Sequence, residues 1–316
     1  MEPSLGLQNQ PYLPAHRWQA QLSFQYGDSN QLYVGDQRND AAGPFGVPPH
    51  RTMNIVDLDV LYGFTNRMSA NLTVPFVWTS GGVEQGTAAS HQFVKEKSSG
   101  VGDIALEADY WLSNPERPSS LSGAVGLGIK APTGSDSVTS VNYNLNPPAT
   151  QATDESFQLG SGGWYALLRA QGTVRISGPL FAYGSGFYGL SLTTRTDVKT
   201  GGGFYRGVPD VYSARLGGAY LLRFFEGMVF TAGGRINGIT VRDIIGGGDL
   251  YFRRPGYEIY FEPGLTWTRG ANTASFSVPL RVYQNKLDSL LDISLNRHTG
   301  ADFAPFLVIA SYGRRF

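Results

Sequence analysis

Apolar and polar residues alternate with a period of two along most of the chain. From Trp18 to Tyr26 the even positions are Trp18, Ala20, Leu22, Phe24 and Tyr26, and between them lie Gln19, Gln21, Ser23 and Gln25. The pattern returns as Met68, Ala70, Leu72, Val74, Phe76 and Trp78 against Ser69, Asn71 and Thr73. Then Ile104, Leu106, Ala108, Tyr110 and Leu112 alternate with Asp103, Glu107 and Asp109. Successive side chains of a strand point to opposite faces, so this order predicts strands with one apolar and one polar face. A helix would spread the same charges around every side.

Twelve strands are predicted in this way, at about 17–28, 51–64, 68–80, 101–113, 120–132, 162–174, 179–193, 209–223, 227–241, 256–269, 273–285 and 303–316. Short connections fall near 65–67, 113–119, 175–178, 224–226 and 270–272, and long polar ones near 28–50, 81–100, 134–161, 194–209, 242–255 and 285–302. Short and long connections in strict alternation are the mark of a transmembrane barrel, with tight periplasmic turns and longer outer loops.

The faces also identify the solvent. A soluble sandwich or lipocalin turns its apolar face inward and limits it to what a core can hold. Here each strand carries an apolar stripe of five or more residues, almost free of charge. The other faces carry Asp57, Asp59, Asp103, Glu107, Asp109, Lys130, Arg169, Arg215, Arg223, Arg235, Glu258, Glu262 and Arg281. A dry core could not hold that many charges without a heavy desolvation cost, whereas a wet or ion-paired lumen can. The expected fold class is therefore all-β: a transmembrane, antiparallel, up-and-down β-barrel of about twelve strands with those residues lining its lumen. Residues 17–316 form the single barrel domain, and 1–16 an N-terminal periplasmic segment that either hangs free or folds back as a plug. Trp18, Phe64, Trp78, Tyr110, Trp164 and Tyr312 fall toward stripe ends, where amphipathic rings favour the membrane–water interfaces.

Composition narrows the reading further. In 316 residues, 25 basic and 25 acidic side chains cancel, so no overall field points to nucleic acid. Glycine at 41, aromatics at 13% and only 4 methionines suit strands better than helices. There is no cysteine, and no apolar run approaches the roughly 18 residues of a spanning helix. Met1-Glu2-Pro3-Ser4 offers no basic or apolar secretory signal, so an outer-membrane destination requires a leader in the gene.

Candidate chemistry is sparse. His16, His50, His91 and His298 all fall in the leader or outer loops; His298, near Ser294 and Asp292, is the single candidate for a rim lipid hydrolase. Gly201-Gly202-Gly203 and Gly246-Gly247-Gly248 lack the Lys-Ser/Thr of a phosphate loop, and Asp28, Asp36 and Asp40 lack the dense spacing of a calcium site. No cofactor or metal is expected. The lumen charges are more informative. Those of the first four strands are acidic, those of strands five to nine basic, and mixed signs follow. They would either set a transverse field across a narrow pore or pair and hold a nearly closed barrel rigid. Apolar residues in the outer loops (Phe204-Tyr205, Ile244-Ile245, Leu250-Tyr251-Phe252, Leu290-Leu291-Ile293) suit a greasy entrance or loop anchors.

In the last strand Phe316, Tyr312, Ala310, Val308 and Phe306 share one face. This resembles the terminal strand of bacterial outer-membrane proteins, which implies the barrel-assembly machinery as a partner reading Phe316; Arg314 departs from that pattern. A narrower resemblance is carried by Gly100-Val101-Gly102-Asp103-Ile104-Ala105-Leu106 and by Lys130-Ala131-Pro132-Thr133-Gly134. Further echoes are Tyr62-Gly63-Phe64-Thr65-Asn66-Arg67 with Val74-Pro75-Phe76, and Phe252-Arg253-Arg254-Pro255 with Glu262-Pro263-Gly264. Together they resemble the phenol meta-pathway outer-membrane family. The resemblance implies passive uptake of small organic solutes, aromatic or hydrophobic ones included. The expected protein is thus a monomeric, non-enzymatic channel in outer-membrane lipid, with a small-molecule solute and no nucleic acid. The alternative from another class is a non-conducting structural or partner-binding barrel.

Overall fold

The computed structural model describes residues 12–113, 121–222, 224–301 and 303–316. The barrel wall is one antiparallel sheet of twelve strands, two of them interrupted. They are β1 (Trp18–Ser29), β2 (His50–Gly63), β3 (Met68–Thr87), β4 (Ser90–Val101 and Ala105–Trp111), β5 (Leu121–Lys130) and β6 (Tyr165–Ser177). β7 (Leu180–Ser191), β8 (Val211–Leu221), β9 (Met228–Ile239), β10 (Gly256–Arg269), β11 (Asn272–Ser277 and Leu280–Lys286) and β12 (Leu307–Arg315) complete it. Sequential neighbours pair, and β1 closes on β12 in a register running from Gln19↔Arg315 to Gly27↔Leu307. Trp18 and Phe316 seal the seam by exchanging backbone hydrogen bonds. Closure removes the sheet edges that lipid could not hydrate.

The distribution of exposure is the inverse of a soluble protein's. Leu216 is 73% exposed and Leu127 66%, while Glu258 is 0%, Glu262 2% and Arg235 3% exposed. Large apolar side chains face out and charges face in, as lipid outside demands. Rings gather at the end with the short turns: Trp18 lies 4.5 Å from Tyr62, which meets Phe64 edge-on at 5.0 Å. Arg314, on the outer face of β12, lies 5.7 Å from the Phe316 ring, so its long stem covers apolar surface near the chain end. A Leu216→Arg substitution at the centre of β8 is expected to destabilise the barrel by about 2–4 kcal/mol in vesicles, read from its urea-unfolding midpoint. A water-facing Leu216 would make the same change nearly neutral.

Both interruptions lie opposite a proline. Phe76 pairs Val101 and Thr73 pairs Ala105, so 102–104 bulge against Val74-Pro75. Phe261 pairs Leu280 and Gly264 pairs Ser277, which sets Val278-Pro279 against Pro263. A proline has no N–H to donate, and the ladder opens there. One loop expectation is corrected: 81–100 is not a long loop, because β3 and β4 continue as a hairpin to Thr87↔Ser90. Other outer loops carry their own short elements: hairpins at Thr139–Asn142/Ala149–Ala152 and Arg195–Lys199/Tyr205–Gly207, and a helical turn at Leu290–Ser294. The predicted turn at 113–119 falls almost entirely outside the described residues.

Candidate functional site

The interior charges are organised as short-range pairs. At mid-height Glu262 of β10 accepts from Arg215 Nε and Nη2 at 3.0 and 2.8 Å, from Arg235 Nε and Nη2 at 2.7 and 3.0 Å, and from Ser277 at 3.0 Å. Arg215 and Arg235 are direct cross-strand partners on β8 and β9, a repulsive placement that the one carboxylate bridges. Glycines make the room. A Cβ at Gly217 or Gly233 would come within 2.7 or 2.9 Å of the Tyr183 hydroxyl.

The second pair reaches across an intervening strand. Arg169 of β6 donates to Glu107 of β4 at 2.8 Å, over β5. The two β5 residues in its path are Gly126 and Gly128, where a Cβ would lie 2.4 Å from Asp109 Oδ1 and 2.5 Å from Glu107 Cγ. Nearby, Asp59 accepts from Thr73 at 2.6 Å and Asn71 at 3.3 Å, and Asp57 from Ser23 at 3.4 Å. Glu258 accepts from Asn237 and Tyr260.

The motifs that carry the family resemblance form the third pair. Lys130 donates to Asp103 at 2.7 Å and lies 4.2 Å from the Tyr165 ring centre. Asp103 also accepts from Gly134 N at 3.1 Å and from Ser161 N and Oγ at 2.8 and 2.7 Å. Thr133 donates to the Gly102 carbonyl at 2.8 Å and accepts from Ile104 N at 2.9 Å. The two motifs thus stitch the break in β4 to both ends of the third outer loop, L3 (131–164). Arg281 departs from a mid-lumen position. It sits at loop level, bound to Gln284, the Phe303 carbonyl, Gln31 and Tyr33. Arg223 lies outside the described residues. Of the two arrangements open to the segregated signs, these contacts are the paired one, since most of these cations meet an acid only one or two strands away.

Sequence reasoning missed the loops that fold inward. Phe157 and Gln158 of L3 are buried, and Leu159 packs with Ile55 and Val77 on the interior faces of β2 and β3. The upper interior is therefore apolar in part. Three arginines hold L3 there. Arg254, from the loop at 240–255, donates to both Asp154 oxygens at 2.6 and 2.8 Å and to Glu155 at 3.3 Å. Arg51 of β2 meets Asp154 at 3.1 Å, and Arg206 donates to the Asp136 and Thr153 carbonyls. Burial raises the Asp154 carboxyl pKa. The Arg254 and Arg51 charges, with hydrogen bonds from Arg254 and Ser156, outweigh it and hold the group well below the usual carboxylate range. Alongside, Arg253 grips Asp243 through two 2.9 Å bonds, and buried Asp210 accepts from Tyr188, Ser191 N and Ile244 N. The single legible signal for this clamp was the Arg253-Arg254 pair.

Two cavities flank the charged layer. On the outer side a 110 Å³ cavity is lined by Met53, Phe157, Phe303, Ala304 and Leu307, with Arg51 and Arg254 at its polar side. On the periplasmic side a 420 Å³ polar cavity is lined by Gln19, Gln21, Tyr183, Arg215, Ser275 and Tyr12. Tyr12 stacks edge-on against Trp111 at 5.7 Å, Leu13 is buried, and Ala15 N donates to Asn66. Residues 12–16 therefore pack against the periplasmic end; residues 1–11 of the predicted segment are outside the description.

Other candidates resolve differently. Ile244, Ile245, Leu250 and Ile293 are exposed, while Leu291 is buried as an anchor. His298, 75% exposed in its side chain, binds Asp288 at 2.7 Å; Ser294 donates to the Leu291 carbonyl, and Asp292 caps its own helix through Ser289. No serine–histidine pair exists at this rim among the described residues. Asp28 is engaged by His50 and Thr52, and Asp40 by Leu32 N and Arg38.

A closed twelve-stranded barrel with an apolar outer belt and a charged, looped-over interior defines a transmembrane barrel of the outer-membrane type. A crystal structure of the COG4313 outer membrane channel from Pseudomonas putida F1 is similar: TM-score 0.62 at 14% identity, over 96% of this chain and 97% of that one. A Pseudomonas aeruginosa FadL homologue (TM-score 0.46, 11% identity, 95% and 90% covered) and the P. putida toluene transporter TodX (0.42, 8%, 96% and 91%) are more remote. No curated protein matches in sequence. The chain belongs to the family described as "Putative MetA-pathway of phenol degradation", whose pattern matches residues 35–253.

Proposed function

We propose that this barrel is an outer-membrane channel for passive passage of small organic solutes, aromatic or hydrophobic ones among them. The observation that carries the reading is the pair of cavities, one apolar and one polar, stacked in the lumen on either side of a charged layer. A solute that leaves water enters the apolar cavity, crosses the layer where ion pairs rearrange, and reaches the polar cavity facing the periplasm. Family membership and the likeness to a solved outer membrane channel support the direction of this reading.

Refolded protein in a planar bilayer is expected to show discrete conductance steps that an added aromatic solute interrupts. Persistent silence from a folded barrel would favour the second reading, a non-conducting barrel. The specific observation behind that reading is the saturated Glu262–Arg215–Arg235 bridge. No step of the proposal requires a cofactor or a covalent reaction.

A further inference from the structure

Two arginines stand on the lipid-facing side of the wall at its periplasmic boundary. Arg269 ends β10 and Arg314 lies near the end of β12, and cross-strand register sets both level with Asn272 of β11, as Arg269↔Asn272↔Arg314. Register partners share a face. This face is the outer one, because exposed Leu265, Phe276 and Tyr312 lie an even number of residues away on the same three strands. Neighbouring strands are about 4.8 Å apart, so the two arginine Cα atoms stand about 10 Å apart with Asn272 between them. Both side chains are exposed and neither meets a carboxylate among the described residues. Glu226, in the turn whose Gly227 carbonyl accepts from Thr268 N, pairs with neither. The Tyr312 hydroxyl donates to Asn272 Oδ1 at 2.7 Å, which turns the amide Nδ2 away from the ring and leaves it as a third donor in the row. One row nearer the bilayer centre, Trp267↔Ala274↔Tyr312 sets two rings on either side of a methyl group.

We propose that this row is a binding site for an anionic phospholipid of the inner leaflet. The guanidiniums of Arg269 and Arg314 and the Asn272 amide hold its phosphate, and an acyl chain lies over Ala274 between the Trp267 and Tyr312 rings. The level fits, since the row sits at the end with the short turns, just beyond rings that favour the membrane–water interface. Guanidinium forks match phosphate oxygens bidentately. Net charge selects among phospholipids. Two cations without a carboxylate partner favour a head group of net negative charge, whereas the ammonium of a zwitterionic lipid would face both guanidiniums. The site also gives a role to Arg314, the residue by which the last strand departs from the outer-membrane pattern. It lies on the outside of the wall and is independent of whether the lumen conducts.

The test is lipid titration of the full chain in detergent micelles, read by native mass spectrometry. The probes are phosphatidylglycerol and phosphatidylcholine with the same acyl chains. Phosphatidylglycerol is expected to bind about tenfold tighter. The double variant Arg269→Gln, Arg314→Gln should bring the two lipids within about twofold of each other. Arg67→Gln with Arg175→Gln removes the same charge from other exposed positions of the periplasmic end and should leave the preference intact. Ala274→Phe should weaken both lipids, and inorganic phosphate at the lipid's own concentration should displace neither. Heat-modifiable mobility on gels checks folding of each variant, and the wild-type comparison needs no variant. Equal affinity for the two lipids in wild type, or a preference that survives the loss of Arg269 and Arg314, overturns the proposal. So does a preference that the remote pair abolishes equally, which would mark general charge attraction. Displacement by inorganic phosphate, or an Ala274→Phe variant that binds both lipids as wild type does, would overturn the lipid assignment in favour of a free-anion site.

Discussion

Glu262→Ala is expected to cost the barrel about 3–5 kcal/mol, the largest loss of any single interior substitution named here. The change deletes the acceptor of four guanidinium hydrogen bonds and leaves Arg215 and Arg235 facing each other in register across β8 and β9. Arg235 is buried and Arg215 is mostly covered, at 3% and 13% side-chain exposure, so solvent cannot take over the lost contacts cheaply. The sign follows from what remains: removing the carboxylate leaves two like charges in register, whereas removing all three leaves no charge there. The triple variant Glu262→Leu, Arg215→Met, Arg235→Leu should therefore recover most of the loss. Urea unfolding from vesicles reads both. A small effect of Glu262→Ala, below about 1 kcal/mol, would mean the layer is wet enough to act as exposed ion pairs do.

The second large effect is on conduction. Asp154→Ala is expected to release L3 from Arg254 and Arg51 and to raise the open-to-closed ratio of the outer cavity. Losing a half-buried, charge-assisted clamp worth about 3 kcal/mol corresponds to a shift on the order of 100-fold in that ratio. Single-channel recording should show longer open dwell and larger steps, with the wall's unfolding midpoint nearly unchanged, because Asp154 belongs to no wall strand. The pH dependence has a definite sign. The carboxyl is depressed when clamped, so the clamp holds fully above the usual carboxylate range. It weakens as pH falls through that range toward the lower, clamped value. Wild type should open on acidification, and Asp154→Ala should show no such response. A wild-type channel equally closed at every pH, with Asp154→Ala indistinguishable from it, would remove L3 from the gate.

These two predictions show where the chain's information lies. Strand number, the short and long connections and the sidedness of the wall are legible residue by residue. A strand's period is two, and lipid and lumen impose opposite demands on its two faces. Pro75 and Pro263 even mark the breaks in β4 and β11, although the reading of 101–113 and 273–285 as unbroken strands passed over them. The predicted loop at 81–100 failed for a related reason, since a hairpin that leaves the bilayer loses the lipid that enforced alternation.

By itself the sequence determined an outward-apolar, inward-charged barrel, because each of those preferences acts on one residue and its immediate neighbours. Only the tertiary structure decided which charges cancel and what fills the mouth. Arg215 meets Glu262 across 47 residues, Arg169 meets Glu107 across 62, and Arg254 meets Asp154 across 100. Alternation assigns a charge to the inner face but carries no record of height or of the glycines that let it reach a partner. The inward path of L3 follows no period at all. It is set by the arginine clamp and by apolar side chains of β2 and β3 that needed covering, and both come together only when the barrel closes.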